Sequence, residues 1–390
     1  MKVLIIVGFF GADKTVGAKR MNSLATYLVR RGISVAVMTT SKKYEMPAEF
    51  GAIDFFYVDE IPMNSSPIRN EKAFNHNKIK FEEAFLKNIE DINPDVILIS
   101  GSPFYTFSIT GLAKEKGIPC VIDIRDPWIF DFRGLKNTLS FKKNMYRIIH
   151  YPHERYAIAN ATAVVTVTDG WCEDYRRHYK WNQDKFHVVE NGFDELGLAD
   201  IDAVEADKEI ENLRGVKLGV FGKLAYYSDN NTKVLLQGFK RVDEKSVHIV
   251  QIGEKEKVVE QIAHEIGAPN DTIISTGFMD YKKGIATLKK LDALLIIDNR
   301  MHALGTKIYD YIFVNKPIIY IGPKRSDMAK LVGKFENGYC CSNVHEVEEA
   351  IRKIVDQKPK KLQEEYDKND YSRDRQNRKY EELLQSVCIR

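Results

Sequence analysis

The chain has 390 residues, more than one hydrophobic core usually holds, so two domains are expected. Hydrophobic residues at 44% and charged residues at 29% describe a globular protein with ample core material, and a net charge of +3 gives no reason to expect a nucleic-acid partner. The five cysteines are odd in number and lack metal-ligand spacing, which argues for reduced thiols and against a disulfide frame or a zinc site.

Taken in chain order, short apolar runs rich in β-branched residues alternate with helical patterns. Val3 to Val7, Ser34 to Thr39, Val96 to Ser100, Pro119 to Ile124 and Ala163 to Thr168 read as strands, unalternating as in a parallel sheet buried on both faces. Between them Lys19 to Arg31, stopped by Gly32, and Asn75 to Ile92, stopped before Asn93-Pro94, read as helices. The pattern restarts after a polar, acidic stretch, Asp194 to Asn212, which is expected to be a linker. Further strands follow at Lys217 to Phe221, Val247 to Ile252, Thr272 to Ser275, Ala293 to Ile297 and Pro317 to Ile321. The expected architecture is α/β, with two Rossmann-like doubly wound domains over 1–194 and 213–370. A C-terminal helix over 371–390, opened by Ser372, is expected to return to the first domain. Such a tandem places a ligand site at the carboxyl ends of the strands, in a cleft between the domains. The apolar runs are too short to cross a bilayer, and Met1 leads straight into a strand, so a cytoplasmic address is expected.

The glycine-rich loop from Gly8 to Gly17 lacks the G-x-G-x-x-G spacing, and the second strand ends in Met38-Thr39-Thr40 without an acid to hold a ribose. A dinucleotide site is therefore a poor fit. The loop is either a plain tight turn or a close backbone approach to a phosphate or sugar beside Gly17. Near the other end, Gly305 to Pro323 reads as a glycine-opened helix followed by a strand. Its unpaired N–H groups and Lys307 suit a phosphate, and Asp310, one turn in, suits a ribose diol. The alternative is a solvated Lys-Asp pair on an ordinary helix.

Four segments in this order resemble the GT-B glycosyltransferases, specifically the retaining nucleotide-sugar transferases of family 4. They are Gly11 to Arg20, Val189-Glu-Asn-Gly-Phe-Asp194, Gly219-Val-Phe-Gly-Lys223, and Gly305-Thr-Lys-Ile-Tyr-Asp-Tyr311 with Asn315-Lys-Pro317. A fifth, Asp123-Ile-Arg-Asp-Pro-Trp128, resembles a strand-end motif of the branch that builds bacterial surface polysaccharides. The resemblance implies a retaining, metal-independent hexosyl transfer with no cofactor, from a UDP- or GDP-type sugar to a glycan or lipid-linked acceptor in cell-surface polysaccharide or glycolipid synthesis. It assigns Lys223 and Lys307 to the donor diphosphate and Asp126 to the neighbourhood of the reacting centre. Gly17, His302, Gly305, Thr306, Asp310, Phe278 and Met279 are expected to bind the donor. The chain departs from the family at two places. A second phosphate-binding lysine is missing where Tyr227, Ser228 and Asp229 stand, and His302 and Asp310 replace two glutamates. An epimerase of the same fold and a non-catalytic nucleotide-binding relative remain as alternatives.

Finally, Phe132 to Tyr156 carries Arg133, Lys136, Lys142, Lys143, Arg147 and Arg155 against one acid, Glu154, interleaved with Phe141, Met145, Tyr146, Ile148 and Ile149. That mixture suits either an anionic membrane surface on the inner face of the membrane or a helix packed on the first domain with solvated lysines.

Overall fold

The computed structural model describes residues 1–12, 15–40, 50–62, 67–129, 141–242, 247–268 and 273–389. The chain divides into two compact units, one of Met1–Asn191 with Arg373–Arg390 and one of Gly192–Ser372.

In the first unit the elements run β1 (Lys2–Val7), α1 (Val16–Arg30), β2 (Ser34–Thr39), β3 (Asp54–Tyr57), α2 (Pro67–Ile92), β4 (Val96–Gly101), α3 (Ile109–Glu115), β5 (Cys120–Ile124), α4 (Phe141–Asn160), β6 (Ala163–Thr166), α5 (Asp169–His178) and β7 (Phe186–Val188). The strands form a parallel sheet in the order β3-β2-β1-β4-β5-β6-β7. Alternate residues of β1 enter opposite core layers: Leu4 and Ile6 pack with α2 residues Phe81 and Phe85, whereas Val3, Ile5 and Val7 pack with α1 residues Leu24 and Leu28. Burial on both faces explains the unbroken apolar run.

The second unit holds α6 (Lys208–Asn212), β8 (Val216–Phe221), α7 (Asp229–Val242), β9 (Val247–Ile252), α8 (Lys257–Glu265), β10 (Ile273–Ser275), α9 (Tyr281–Leu288), β11 (Ala293–Ile297), α10 (Lys307–Val314), β12 (Ile318–Ile321), α11 (Asp327–Val332), β13 (Gly338–Cys341) and α12 (Val344–Gln357). Its parallel sheet has the order β10-β9-β8-β11-β12-β13. The fold is GT-B, with two doubly wound parallel-sheet α/β units.

The stretch 194–212 corrects the expectation of a linker. Leu198, Ile201, Ala206 and Ile210 are buried with Ala286 and Leu288 of α9, so the segment belongs to the second unit's core. Its acids meet the lysines of α9 and the residues just after it, with Lys282 2.6 Å from Asp200 and Lys290 2.6 Å from Glu211. Asp207 caps α6, its Oδ1 accepting from Glu209 N at 3.1 Å and Ile210 N at 3.2 Å. The acidity is that of a strap laid along a basic helix.

The C-terminal helix α13 (Arg373–Cys388) lies on α1 within the first unit. Buried Arg20 donates to Asp123 with Nε and Nη2, each at 3.3 Å, to Val189 O at 2.7 Å and to Tyr380 Oη at 2.9 Å. Ser100 Oγ donates to the same Asp123 carboxylate at 3.0 Å. Although burial opposes a charged guanidinium, Asp123 and Tyr380 hold the Arg20 pKa above its ordinary value. Tyr27 adds a 2.8 Å hydrogen bond to Glu381.

Candidate functional site

In a doubly wound sheet a ligand crevice opens where the winding reverses, between neighbouring strands whose connections leave on opposite sides. In the second unit that point lies between β8 and β11. The loops leaving them carry Lys223 and Lys307 together with Asp298, Arg300 and His302.

The turn after β8 needs Gly222, whose φ of +81° lies in the left-handed region. Gln251 Nε2 donates to the Gly222 carbonyl at 3.2 Å and to Glu256 Oε2 at 2.9 Å. The same Glu256 oxygen accepts from the amides of Leu224 and Ala225. A carboxylate thus pins the loop that presents Lys223. The Lys223 side chain is exposed, with Nζ 5.4 Å from the Tyr226 ring centroid.

Lys307 is the first residue of α10, after Thr306, which makes no side-chain cap. Its Nζ donates to the Lys223 carbonyl at 3.3 Å, and among the described residues no carboxylate lies within 4.0 Å of it. The side chain keeps a solvent opening yet is densely surrounded. That burial pushes its pKa down to about 8, while Asp298 and Glu256 pull upward and Arg300 downward. An ammonium has three donors to satisfy, so this lysine is poised for an anion.

Asp298, at the end of β11, is buried and takes the Arg300 fork, with Nε 2.9 Å from Oδ1 and Nη2 2.6 Å from Oδ2. The Arg300 guanidinium lies 3.7 Å from the centroid of the Tyr227 ring. Tyr227 therefore stacks under an arginine at the position where the resemblance led us to look for a second lysine. Arg300 Nη2 would stand 3.7 Å from a Cβ on Gly305, so this pair borders the start of α10.

His302 turns to Asp327, with Nδ1 3.3 Å from Oδ2, and Lys330 donates to Asp327 Oδ1 at 3.0 Å. Burial works to raise the Asp327 pKa, but His302 and Lys330 together hold it below the ordinary value. Asp310 accepts from the Tyr281 hydroxyl at 2.6 Å. Phe278, after Gly277 with φ +76°, is 88% exposed, whereas Met279 packs half-buried against the core. Lys223, Gly305, Thr306, Lys307 and Asp310 thus share one region with His302 at its edge, while Phe278 stands out in solvent. Sequence reading missed Tyr281, Asp298, Arg300 and Glu256. Asp298 and Arg300 directly follow an apolar strand, and that was the only local signal.

In the first unit, Gly17 lies in the first turn of α1, and Asp126 is exposed beyond β5. Among the described residues Asp126 makes no ion pair with its neighbour Arg125. No group of three or more His, Cys, Asp or Glu side chains is placed to hold a metal ion, and no helix is long and apolar enough to cross a membrane, both among the described residues.

Residues 17–195 match the model of Glycosyltransferase Family 4. Among curated proteins none is similar in sequence. Solved structures similar over both whole chains include Anabaena Alr3699/HepE in complex with UDP and glucose, at TM-score 0.66 and 15% identity, covering 99% of this chain and 100% of that one. A glycosyltransferase from Rickettsia africae is similar at TM-score 0.66 and 14% identity, with 99% and 98% covered. The UDP-GlcNAc 2-epimerase from Neisseria meningitidis bound to UDP-GlcNAc is similar at 0.61 and 14%, with 99% and 100% covered. At these identities the likeness is one of fold.

Proposed function

For a GT-B chain whose residues 17–195 match Glycosyltransferase Family 4, we propose a retaining, metal-independent transferase. It takes a hexosyl group from a UDP- or GDP-type sugar to a glycan or lipid-linked acceptor in cell-surface polysaccharide or glycolipid synthesis. The observation that carries this reading is Lys307, a densely surrounded ammonium at a helix start with, among the described residues, one main-chain partner and no carboxylate within 4.0 Å. A departing diphosphate gains negative charge as its bond to the sugar C1 breaks, and a cation already held in place stabilises that charge without reorganising. Lys223 adds a second cation, and Asp310 receives the ribose hydroxyls. Asp126 and Gly17 of the first unit are assigned to the transfer in this reading. Incubation with a panel of UDP-, GDP- and dTDP-sugars tests it: acceptor-dependent or slow release of nucleotide is expected, and no release from any donor refutes it.

A second reading, a nucleotide-sugar 2-epimerase, is favoured by one observation. The His302–Asp327 pair is the kind of acid/base couple that moving a sugar proton requires. Altered sugar still attached to nucleotide in the same incubations would select it over transfer.

The proposal extends to peripheral contact with an anionic membrane through 132–156. Residues 130–140 and the side chains of Phe141, Lys142 and Lys143 lie outside the described residues, but on α4 Met145, Tyr146, Ile148 and Ile149 are exposed. Vesicle sedimentation is expected to show binding that needs anionic lipid and weakens with salt; equal binding to neutral vesicles refutes it.

A further inference from the structure

The first sheet has its own reversal of winding, between β1 and β4. Arg125, just beyond β5, reaches back to it, donating with Nε to the Gly101 carbonyl at the end of β4 at 2.8 Å. Its guanidinium lies against Gly17: a Cβ built there would stand 2.2 Å from Nη1, 2.4 Å from Cζ and 2.5 Å from Nη2. Only a glycine lets the guanidinium occupy this place. Arg125 is half-buried, yet among the described residues no carboxylate lies within 4.0 Å of it. Asp123 is committed to Arg20 and Ser100, and neighbouring Asp126 is exposed and unpaired with it. Arg20, Arg31, Arg300 and Arg352 each pair with a carboxylate. A partly desolvated guanidinium without a counter-ion is unfavourable on its own, and a bound oxyanion with two hydrogen-bonded oxygens offsets that cost.

We propose that Arg125 is a phosphate-binding residue of the first unit, and that the acceptor is a phosphate-bearing molecule held through it. The acceptor part rests on the transfer reading above; the phosphate site does not. The test is calorimetric titration of full-length protein with UDP, and of UDP-saturated protein with inorganic pyrophosphate, for wild type, Arg125→Gln, Arg125→Lys and Gly17→Ala. Pyrophosphate is expected to bind the UDP-saturated wild type. Arg125→Gln is expected to lose about tenfold or more of that affinity, and Arg125→Lys less, since it keeps the charge without the fork. Gly17→Ala, which keeps the charge but displaces the guanidinium, is expected to weaken pyrophosphate as well, while UDP affinity stays unchanged in Arg125→Gln and Arg125→Lys. Thermal melting of each variant checks that the fold survives. Wild-type pyrophosphate affinity in both Arg125→Gln and Gly17→Ala, or no pyrophosphate binding by the UDP-saturated wild type, overturns the proposal. Arg125-dependent pyrophosphate binding without any UDP binding leaves the proposal standing and removes the reading of the second unit. Flotation with phosphatidylcholine vesicles, with and without phosphatidic acid, separates sources. Binding that needs phosphatidic acid and Arg125 marks a lipid phosphate, and Arg125-dependent binding of pyrophosphate alone marks a soluble one.

Discussion

Glu154 sits inside α4 with its carboxyl fully buried, accepting from Ile129 N at 3.1 Å, Tyr179 Oη at 2.8 Å and Tyr175 Oη at 3.3 Å. Burial pushes its pKa up from 4.5 to about 7, against the pull of the three donors. An acid whose folded pKa is raised stabilises the fold below its unfolded pKa and loses that contribution as pH rises through the folded value. The window is therefore about pH 4.5 to about pH 7. At roughly 1.4 kcal/mol per pH unit, the loss across it is on the order of 3 kcal/mol. Glu154→Gln keeps the shape and cannot ionise. The chain's three tryptophans, Trp128, Trp171 and Trp181, all belong to the first unit, so fluorescence-detected urea unfolding reports on the unit that holds Glu154. The stability of wild type relative to Glu154→Gln is expected to fall by about 3 kcal/mol across this window. Parallel pH curves for the two proteins would show that burial does not control this carboxyl.

Three further predictions concern other groups. Because the Lys307 pKa is pushed down to about 8, affinity for UDP is expected to decline as pH rises through that value, and Lys307→Arg is expected to abolish the decline; a calorimetric pH series giving the same profile for both refutes the assignment. Tyr281→Phe removes the hydroxyl bonded to Asp310 and is expected to change UDP affinity by a few-fold, about 1 kcal/mol, with no effect anticipated in an Asp310→Ala background. Arg20→Met leaves Asp123 buried without its cation and is expected to cost about 3–5 kcal/mol in urea unfolding of the first unit; a loss under about 1 kcal/mol would mean that the pair contributes little.

Strands buried on both faces were legible because they are short runs dominated by apolar residues, many of them β-branched: β2, β9 and β11 fall on the residues read from sequence. The strands that escaped, β3, β7 and β13, are edge strands of three or four residues and read DFFY, FHV and GYCC, runs with at most one aliphatic β-branched residue each. The α10 helix and its Lys307 could be read because a glycine opening and the following Lys316-Pro317 bracket it; the structure ends the helix at Asn315, whose φ is +57°. Contacts across the fold could not. Arg300 finds Tyr227 across 73 positions, Tyr281 finds Asp310 across 29, and Arg125 reaches Gly101 across 24, pairings made by strand order rather than by local pattern. The acidic 194–212 stretch misled for the same reason, since its partner lysines on and just after α9 lie about eighty residues away in sequence.

In the proposed function, the crevice between the β8 and β11 loops holds a nucleoside diphosphate through Lys307. Calorimetric titration of UDP into wild type and Lys307→Met at neutral pH tests it most directly. Binding to wild type with at least about tenfold weaker binding to the variant is predicted, from the loss of one charged hydrogen bond. Equal affinity in the two proteins, or no binding to wild type, would contradict it.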